Sequence, residues 1–233
     1  LIAEQICDGA CIQLGIGAIP DATGLALKTK KDLGIHTEMF TDSMVELIEC
    51  GAVNNSRKQI NRGRSVTTFA YGSQRIYDFI DDNPSIEILP VDYTNDPNVI
   101  CRNDNMISIN NCIAVDLYGQ ISSESAGKRH ISGTGGQLDY MTGTAMAKGG
   151  KGFICMESTF TDKKGAEVDI VNYGARILLI SVPDKTGKCI LSGGILPARK
   201  KNSVVCLADG IVRGKGRNKQ CAVFVRGRMV RDT

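Results

Sequence analysis

Residues Ala10–Cys50 read ACIQLGIGAIPDATGLALKTKKDLGIHTEMFTDSMVELIEC, and the periodicity of this stretch decides the fold. Ala10–Gly15 is a short β-prone run, Asp21–Lys30 has helical spacing, Gly34–Phe40 returns to a strand, and Ser43–Cys50 is again helical. That is a βαβα order. Further along, strands are expected at Ser65–Tyr71, Ile86–Val91, Met106–Val115 and Gly152–Glu157, with helices at Gln74–Asp82 and about Gln137–Lys148. The fold class that follows is α/β, a mainly parallel or mixed sheet flanked by helices. In such sheets ligands sit beyond the carboxyl ends of the strands, so chemistry is sought in the loops that follow them.

The chain has 233 residues, 42% of them hydrophobic, enough to build the core of one large domain or of two small ones. No apolar run approaches the eighteen or so residues of a membrane span, and LIAEQICDGA at the start lacks the basic and apolar regions of a signal peptide. Neither a membrane protein nor a membrane partner is expected. The chain opens without Met or an N-cap inside an amphipathic pattern, so it reads as an internal fragment of a longer protein. Nine cysteines without paired spacing read as reduced thiols, which places the protein in the cytoplasm. Charge is uneven: residues 1–165 hold 15 Lys+Arg against 20 Asp+Glu, and residues 166–233 hold 13 against 5. A basic tail of that kind is either a solvated face or a contact for nucleic acid or acidic membrane.

Three segments carry candidate chemistry. In Gln13–Ala22 (QLGIGAIPDA) a strand runs through Gly15, Ile16 and Gly17 into a helix. Backbone N–H groups there suit a phosphate or a developing oxyanion, and a purely structural turn fits equally well. The motif lacks the third glycine of a dinucleotide fingerprint, Pro20 standing in its place. In Gly34–Asp42 (GIHTEMFTD), alternation puts His36, Glu38 and Phe40 on one face. A carboxylate among apolar neighbours must find donors or reach solvent, because unpaired burial costs several kcal/mol, roughly. Glu38 is therefore either an ordinary rim ion pair or a functional carboxylate, and His36 either a satisfied polar residue or a catalyst. The third segment, Ser132–Tyr140 (SGTGGQLDY), is a glycine-rich loop entering a helix, where Gly135 and Gly136 again offer N–H donors or merely close packing. No P-loop, G-x-S-x-G, C-x-x-C or H-E-x-x-H occurs and only His36 and His130 are present, so no metal site is expected.

Together these segments resemble the acetyl-CoA hydrolase/transferase family, most nearly its 4-hydroxybutyrate CoA-transferases. The resemblance rests on QLGIGAIPD (Gln13–Asp21), LGIHTEMFTD (Leu33–Asp42), YDFIDDNP (Tyr77–Pro84), VDYTNDP (Val91–Pro97), DLYGQ (Asp116–Gln120) and SGTGGQLDY, in order over residues 1–165. It implies a C-terminal catalytic domain whose N-terminal partner domain is missing here. It also implies a CoA-transferase acting on acyl-CoA and a short-chain carboxylate of the acetate, butyrate or 4-hydroxybutyrate class, with no permanently bound cofactor and coenzyme A thioester as substrate. Glu38 would be the nucleophile, forming a covalent glutamyl-CoA thioester. Gly15, Ile16, Gly17, Gly135 and Gly136 would supply the oxyanion and CoA contacts. A homo-oligomer is expected, and residues 1–233 alone are expected to be inactive, since no partner domain closes the cleft. An acyl-CoA hydrolase on the same scaffold is the alternative, and a polyanion-binding module acting through the basic tail is the third.

After Lys164-Gly165 the likeness fades. Ala166-Glu167-Val168-Asp169 replaces the family's serine-arginine-isoleucine-valine run, and no V-T-E-Y-G phrase follows. Codons for Ser192-Gly193-Gly194-Ile195, read one base along, can encode L-V-E-Y. Residues 166–233 therefore read as a divergent basic tail produced by a reading-frame shift near codon 165. Such a tail would be poorly ordered, with chance strands such as Cys221–Val225, and no nucleic-acid partner is expected.

Overall fold

Cys11–Leu14 (β1) takes an interior place in the main sheet, with all four of its side chains buried. Ile12 and Leu14 enter one apolar layer, and Cys11 enters the other. The computed structural model describes residues 2–115, 121–126, 129–157, 159–161, 167–169 and 220–225. After β1 come α1 (Ala18–Ala26), β2 (Gly34–Ile35), β3 (Met39–Phe40), α2 (Asp42–Glu49), β4 (Ser65–Thr67), β5 (Phe69–Ala70) and α3 (Gln74–Ile80). Then follow β6 (Ile86–Ile88), α4 (Val91–Thr94), α5 (Pro97–Ile100), β7 (Met106–Asn111), β8 (Ala114–Val115), β9 (Ile121–Ser122), β10 (Ser125–Ala126) and β11 (Arg129–His130). The described chain ends with α6 (Gln137–Met146), β12 (Lys151–Glu157), β13 (Thr159–Thr161), β14 (Glu167–Asp169) and β15 (Gln220–Val225).

The main sheet has the order β15-β12-β7-β1-β2. Its strands β12, β7, β1 and β2 are parallel, with Ile12 opposite both Ile35 and Ile107, and Phe153 opposite Ile109. β15 closes the edge antiparallel to β12. On one face Ile12, Leu14, Ile35, Ile109 and Phe153 pack with Ile19 of α1 and Met44 and Leu47 of α2. On the other, Cys11 and Met106 meet Ile100 of α5 and Tyr140 of α6. Both faces are covered, which a parallel sheet requires, and each fully buried Leu or Ile contributes about 1.5–3 kcal/mol. The chain steps from β1 to β2 on one side and to β7 on the other, so loops leaving β1 and β7 diverge and open a crevice at their carboxyl ends. Among the described residues no helix is long and apolar enough to cross a membrane.

The expected single strand Gly34–Phe40 is two. β2 belongs to the main sheet, whereas β3 pairs in parallel with β5, Met39 opposite Phe69. The break comes from a change of hydrogen-bond partner: His36 N–H donates to Ile12 of β1, but Thr37 N–H donates to Val66 of β4. Ser65–Tyr71 divides for the same reason into β4, which pairs with β6, and β5. Asp116–Gln120 and residues 170–219 and 226–233, where most of the tail expected to be poorly ordered falls, lie outside the described residues. Cys221–Val225 forms most of β15.

Candidate active site

Glu38 sits between β2 of the main sheet and β3, which pairs with β5, and its backbone is fixed from the β4–β5 side. Its carbonyl accepts from Thr68 N–H at 2.9 Å, Phe69 N–H at 3.1 Å and the Thr67 hydroxyl at 3.0 Å. The half-buried carboxylate is held as firmly. Oε1 accepts from Asn95 Nδ2 at 3.0 Å and Oε2 from Gly136 N–H at 3.0 Å. A carboxylate oxygen can only accept in this way, so the amide nitrogen of Asn95 faces it. Gly136 is the N-cap of α6, whose aligned peptide dipoles place partial positive charge against the carboxylate.

Gly136 is needed for the close approach. A Cβ there would lie 2.6 Å from Asn95 Nδ2 and 2.8 Å from Glu38 Oε2, while one on Gly135 would meet Oε2 only at 3.8 Å. The glycine loop Ser132–Tyr140 and Glu38 thus form one site, 98 residues apart in sequence. The Gly15–Gly17 loop lies at the same carboxyl edge of the sheet, following β1 where the strand order diverges. It packs over the end of β7: a Cβ on Gly15 would meet Asn110 Oδ1 at 2.6 Å, and one on Gly17 would meet Asn111 Nδ2 at 2.2 Å. Gly17 has φ of +132°, a conformation that L side chains rarely adopt. The N–H of Gly15 is already spent on the sheet, donating to Ile109 at 2.7 Å. The N–H groups of Ile16 and Gly17 have no acceptor among the described residues, and the Ile16 side chain is exposed.

Around this centre polar groups are buried in unusual number. Under the Gly15 loop, Gln13, Ser108 and Asn110 form a closed network: Gln13 Nε2 donates to Asn110 Oδ1, and Gln13 Oε1 accepts from Ser108 Oγ and Asn110 Nδ2. His36 is fully buried and its Nε2 lies 2.9 Å from the Thr94 carbonyl. Burial, aided by the positive charge of Lys58, pushes the His36 pKa down from 6.5 to about 4. Asp139 is raised, chiefly by burial and then by the charges of Glu38 and Asp96. The thiols of Cys11, Cys112 and Cys155 are pushed up by burial to about 11, 12 and 12, so they pack as small hydrophobes rather than act as nucleophiles.

Sequence reasoning singled out Glu38, Gly135 and Gly136, and the structure brings these together. It did not single out Asn95. That residue lies in VDYTNDP, where an asparagine beside a short helix has no pattern of its own to mark it as a partner of a carboxylate 57 residues away.

An α/β domain with a carboxylate held between the Asn95 carboxamide and a glycine-capped helix N-terminus is what the comparison with known proteins bears on. Residues 72–184 match the profile of the acetyl-CoA hydrolase/transferase C-terminal domain. The matched range runs past residue 165, where the family phrases cease to be legible, and Glu38 precedes it. The chain is 53% identical to the 4-hydroxybutyrate coenzyme A transferase of Clostridium kluyveri over 157 residues, 67% of this chain and 37% of that protein. It is 51% identical to the butyryl-CoA:acetate CoA-transferase of Anaerostipes caccae over 167 residues, 71% of this chain and 37% of the relative. The crystal structure of RipA from Yersinia pestis superposes with a TM-score of 0.69 at 44% identity, covering 76% of this chain and 40% of RipA. The chain therefore spans little more than a third of the length of these curated relatives.

Proposed function

We propose that the protein supplies the nucleophile-bearing part of an acyl-CoA:carboxylate CoA-transferase of the acetate, butyrate or 4-hydroxybutyrate class. The observation that carries this reading is the Glu38 carboxylate, held by Asn95 Nδ2 and Gly136 N–H at the carboxyl edge of the sheet. A fixed carboxylate attacks the thioester carbonyl, and collapse of the adduct expels CoA thiolate and leaves an acyl-glutamyl anhydride. The thiolate then attacks the glutamyl carbonyl, releasing the first carboxylate and leaving a glutamyl-CoA thioester. An incoming carboxylate repeats the two steps in reverse and departs as the new acyl-CoA. Thioester and anhydride lie close in energy, so no ATP is consumed.

Each attack places negative charge on a carbonyl oxygen, and the N–H groups of Ile16 and Gly17, without acceptors among the described residues, suit that charge. Gly136 N–H serves the carboxylate in the resting geometry and becomes available as Glu38 moves onto the substrate. Hydrolase activity on the same scaffold would need only water in place of the second carboxylate.

The test is made on the full-length parent, given the share of its relatives that this chain spans. Glu38→Gln keeps the size of the side chain and removes the nucleophile, so transfer of CoA from butyryl-CoA to acetate should fall to background. Borohydride after preincubation with butyryl-CoA should convert Glu38 of the unsubstituted protein to its alcohol, detected by peptide mass. Normal transfer by Glu38→Gln would falsify the covalent assignment. Free-thiol release that does not depend on acetate would favour the hydrolase.

A further inference from the structure

We infer that His36 is a positioning residue for Glu38, acting through the Thr94 carbonyl and the Asn95 carboxamide. The inference rests on the reading of Glu38 as nucleophile. The Thr94 carbonyl accepts two hydrogen bonds, from His36 Nε2 at 2.9 Å and from the Tyr140 hydroxyl at 3.0 Å, and all three residues are buried. α4 is only four residues long and cannot hold its last carbonyl by helical bonding. The two side-chain donors do so instead. The next residue is Asn95, whose Nδ2 reaches Glu38 Oε1.

These contacts close a ring. His36 precedes Glu38 by two residues, and Tyr140 belongs to the first turn of α6, its N–H bonded to the Gly136 carbonyl at 2.9 Å. The segments bearing the carboxylate, its amide donor and its backbone donor are thereby all tied to one carbonyl. Because that carbonyl only accepts, the imidazole carries its proton on Nε2. Nδ1 is buried with no hydrogen-bond partner among the described residues. The ring is thus engaged through one donor alone, and that donor aims the peptide unit from which Asn95 projects.

A double-mutant cycle in the full-length parent tests this, with single-turnover release of butyrate from butyryl-CoA as the readout. His36→Leu should slow release about tenfold or more with KM little changed, as misplacement of a reacting group does. Asn95→Ala should slow it as well. Adding His36→Leu to Asn95→Ala should cost nothing further, because no carboxamide remains to be aimed. His36→Gln carries an Nε2 donor the same number of bonds from the backbone and should restore the rate. Additive losses, no rescue by Gln, or a full rate in His36→Leu would each overturn the inference. If His36→Leu does not fold, Tyr140→Phe, which removes only the second donor, runs the same cycle, and an additive or absent effect again overturns it. Glu38→Gln separates the two readings: if that variant still releases butyrate, the nucleophile assignment fails, whereas an inactive Glu38→Gln beside a full-speed His36→Leu removes the positioning role alone.

Discussion

At Gly136 the smallest possible change separates catalysis from stability. Its backbone N–H touches the carboxylate, and a methyl group on its Cα would stand within 2.8 Å of Glu38 Oε2 and 2.6 Å of Asn95 Nδ2. Both of those atoms end side chains that can swing away, so Gly136→Ala should fold with nearly the thermal midpoint of the parent. The carboxylate would lose its donors, and acyl transfer should fall about a hundredfold or more, the scale of a lost oxyanion-type contact. Activity and melting temperature measured on the same preparation decide it; a large loss of stability would show that the glycine serves the fold instead. His36 offers a test with the opposite emphasis. Its pKa is lowered from 6.5 to about 4 by burial and by Lys58, so the unfolded chain takes up a proton below pH 6.5 that the folded chain refuses until about pH 4. Stability from this group is complete above pH 6.5 and is lost as pH falls through that window; between pH 7.5 and 5 the loss is about 2 kcal/mol. Urea unfolding at the two pH values should show that loss, and His36→Gln, which cannot titrate, should show a loss smaller by this amount. Equal losses would mean that His36 is not buried neutral.

Among the elements, those with a strong period were legible and those defined by partners were not. Helices at Gln74–Ile80 and Gln137–Met146 begin where the sequence placed them, and β1 and β12 fall within a residue of the expected runs; β6 begins at Ile86 as expected but ends at Ile88 rather than Val91, and the expected strand Met106–Val115 is two, β7 and β8. α1 begins at Ala18 rather than Asp21, because the turn at Gly17 lets the helix start before Pro20, which is tolerated in a first turn. The division of Gly34–Phe40 into β2 and β3 had no local signal. Period two persists through the break, and only the transfer of hydrogen bonding from Ile12 to Val66 makes it. Glu38 lies at that break, so the feature that makes it a site is the one that alternation conceals. The same holds for Asn95 and for the network of Gln13, Ser108 and Asn110: polar residues at core-facing positions look like pattern errors until their mutual hydrogen bonds are seen.

For the whole molecule, the question is whether one reading frame runs through all 233 codons. Residues 166–233 carry 13 Lys+Arg against 5 Asp+Glu, reversing the acidic balance before them, and L-V-E-Y is reachable one base along at Ser192–Ile195. The family match continues to residue 184, so the position first suggested near codon 165 widens to a window that ends before Ser192. β15 does not argue for the frame as written. The outer edge of β12 offers unpaired backbone groups, and a six-residue β-prone run such as QCAVFV can pair with an open edge through main-chain hydrogen bonds that carry no sequence information. The expected outcome is therefore a single-base insertion or deletion between codons 165 and 191, found by resequencing the gene from independent template. Restoring the frame should replace the basic tail with a V-T-E-Y-G phrase and return the charge balance towards that of the first 165 residues. An unbroken frame across the window, in a product whose residues 166–233 resist proteolysis as well as the sheet does, would show that the tail is genuine.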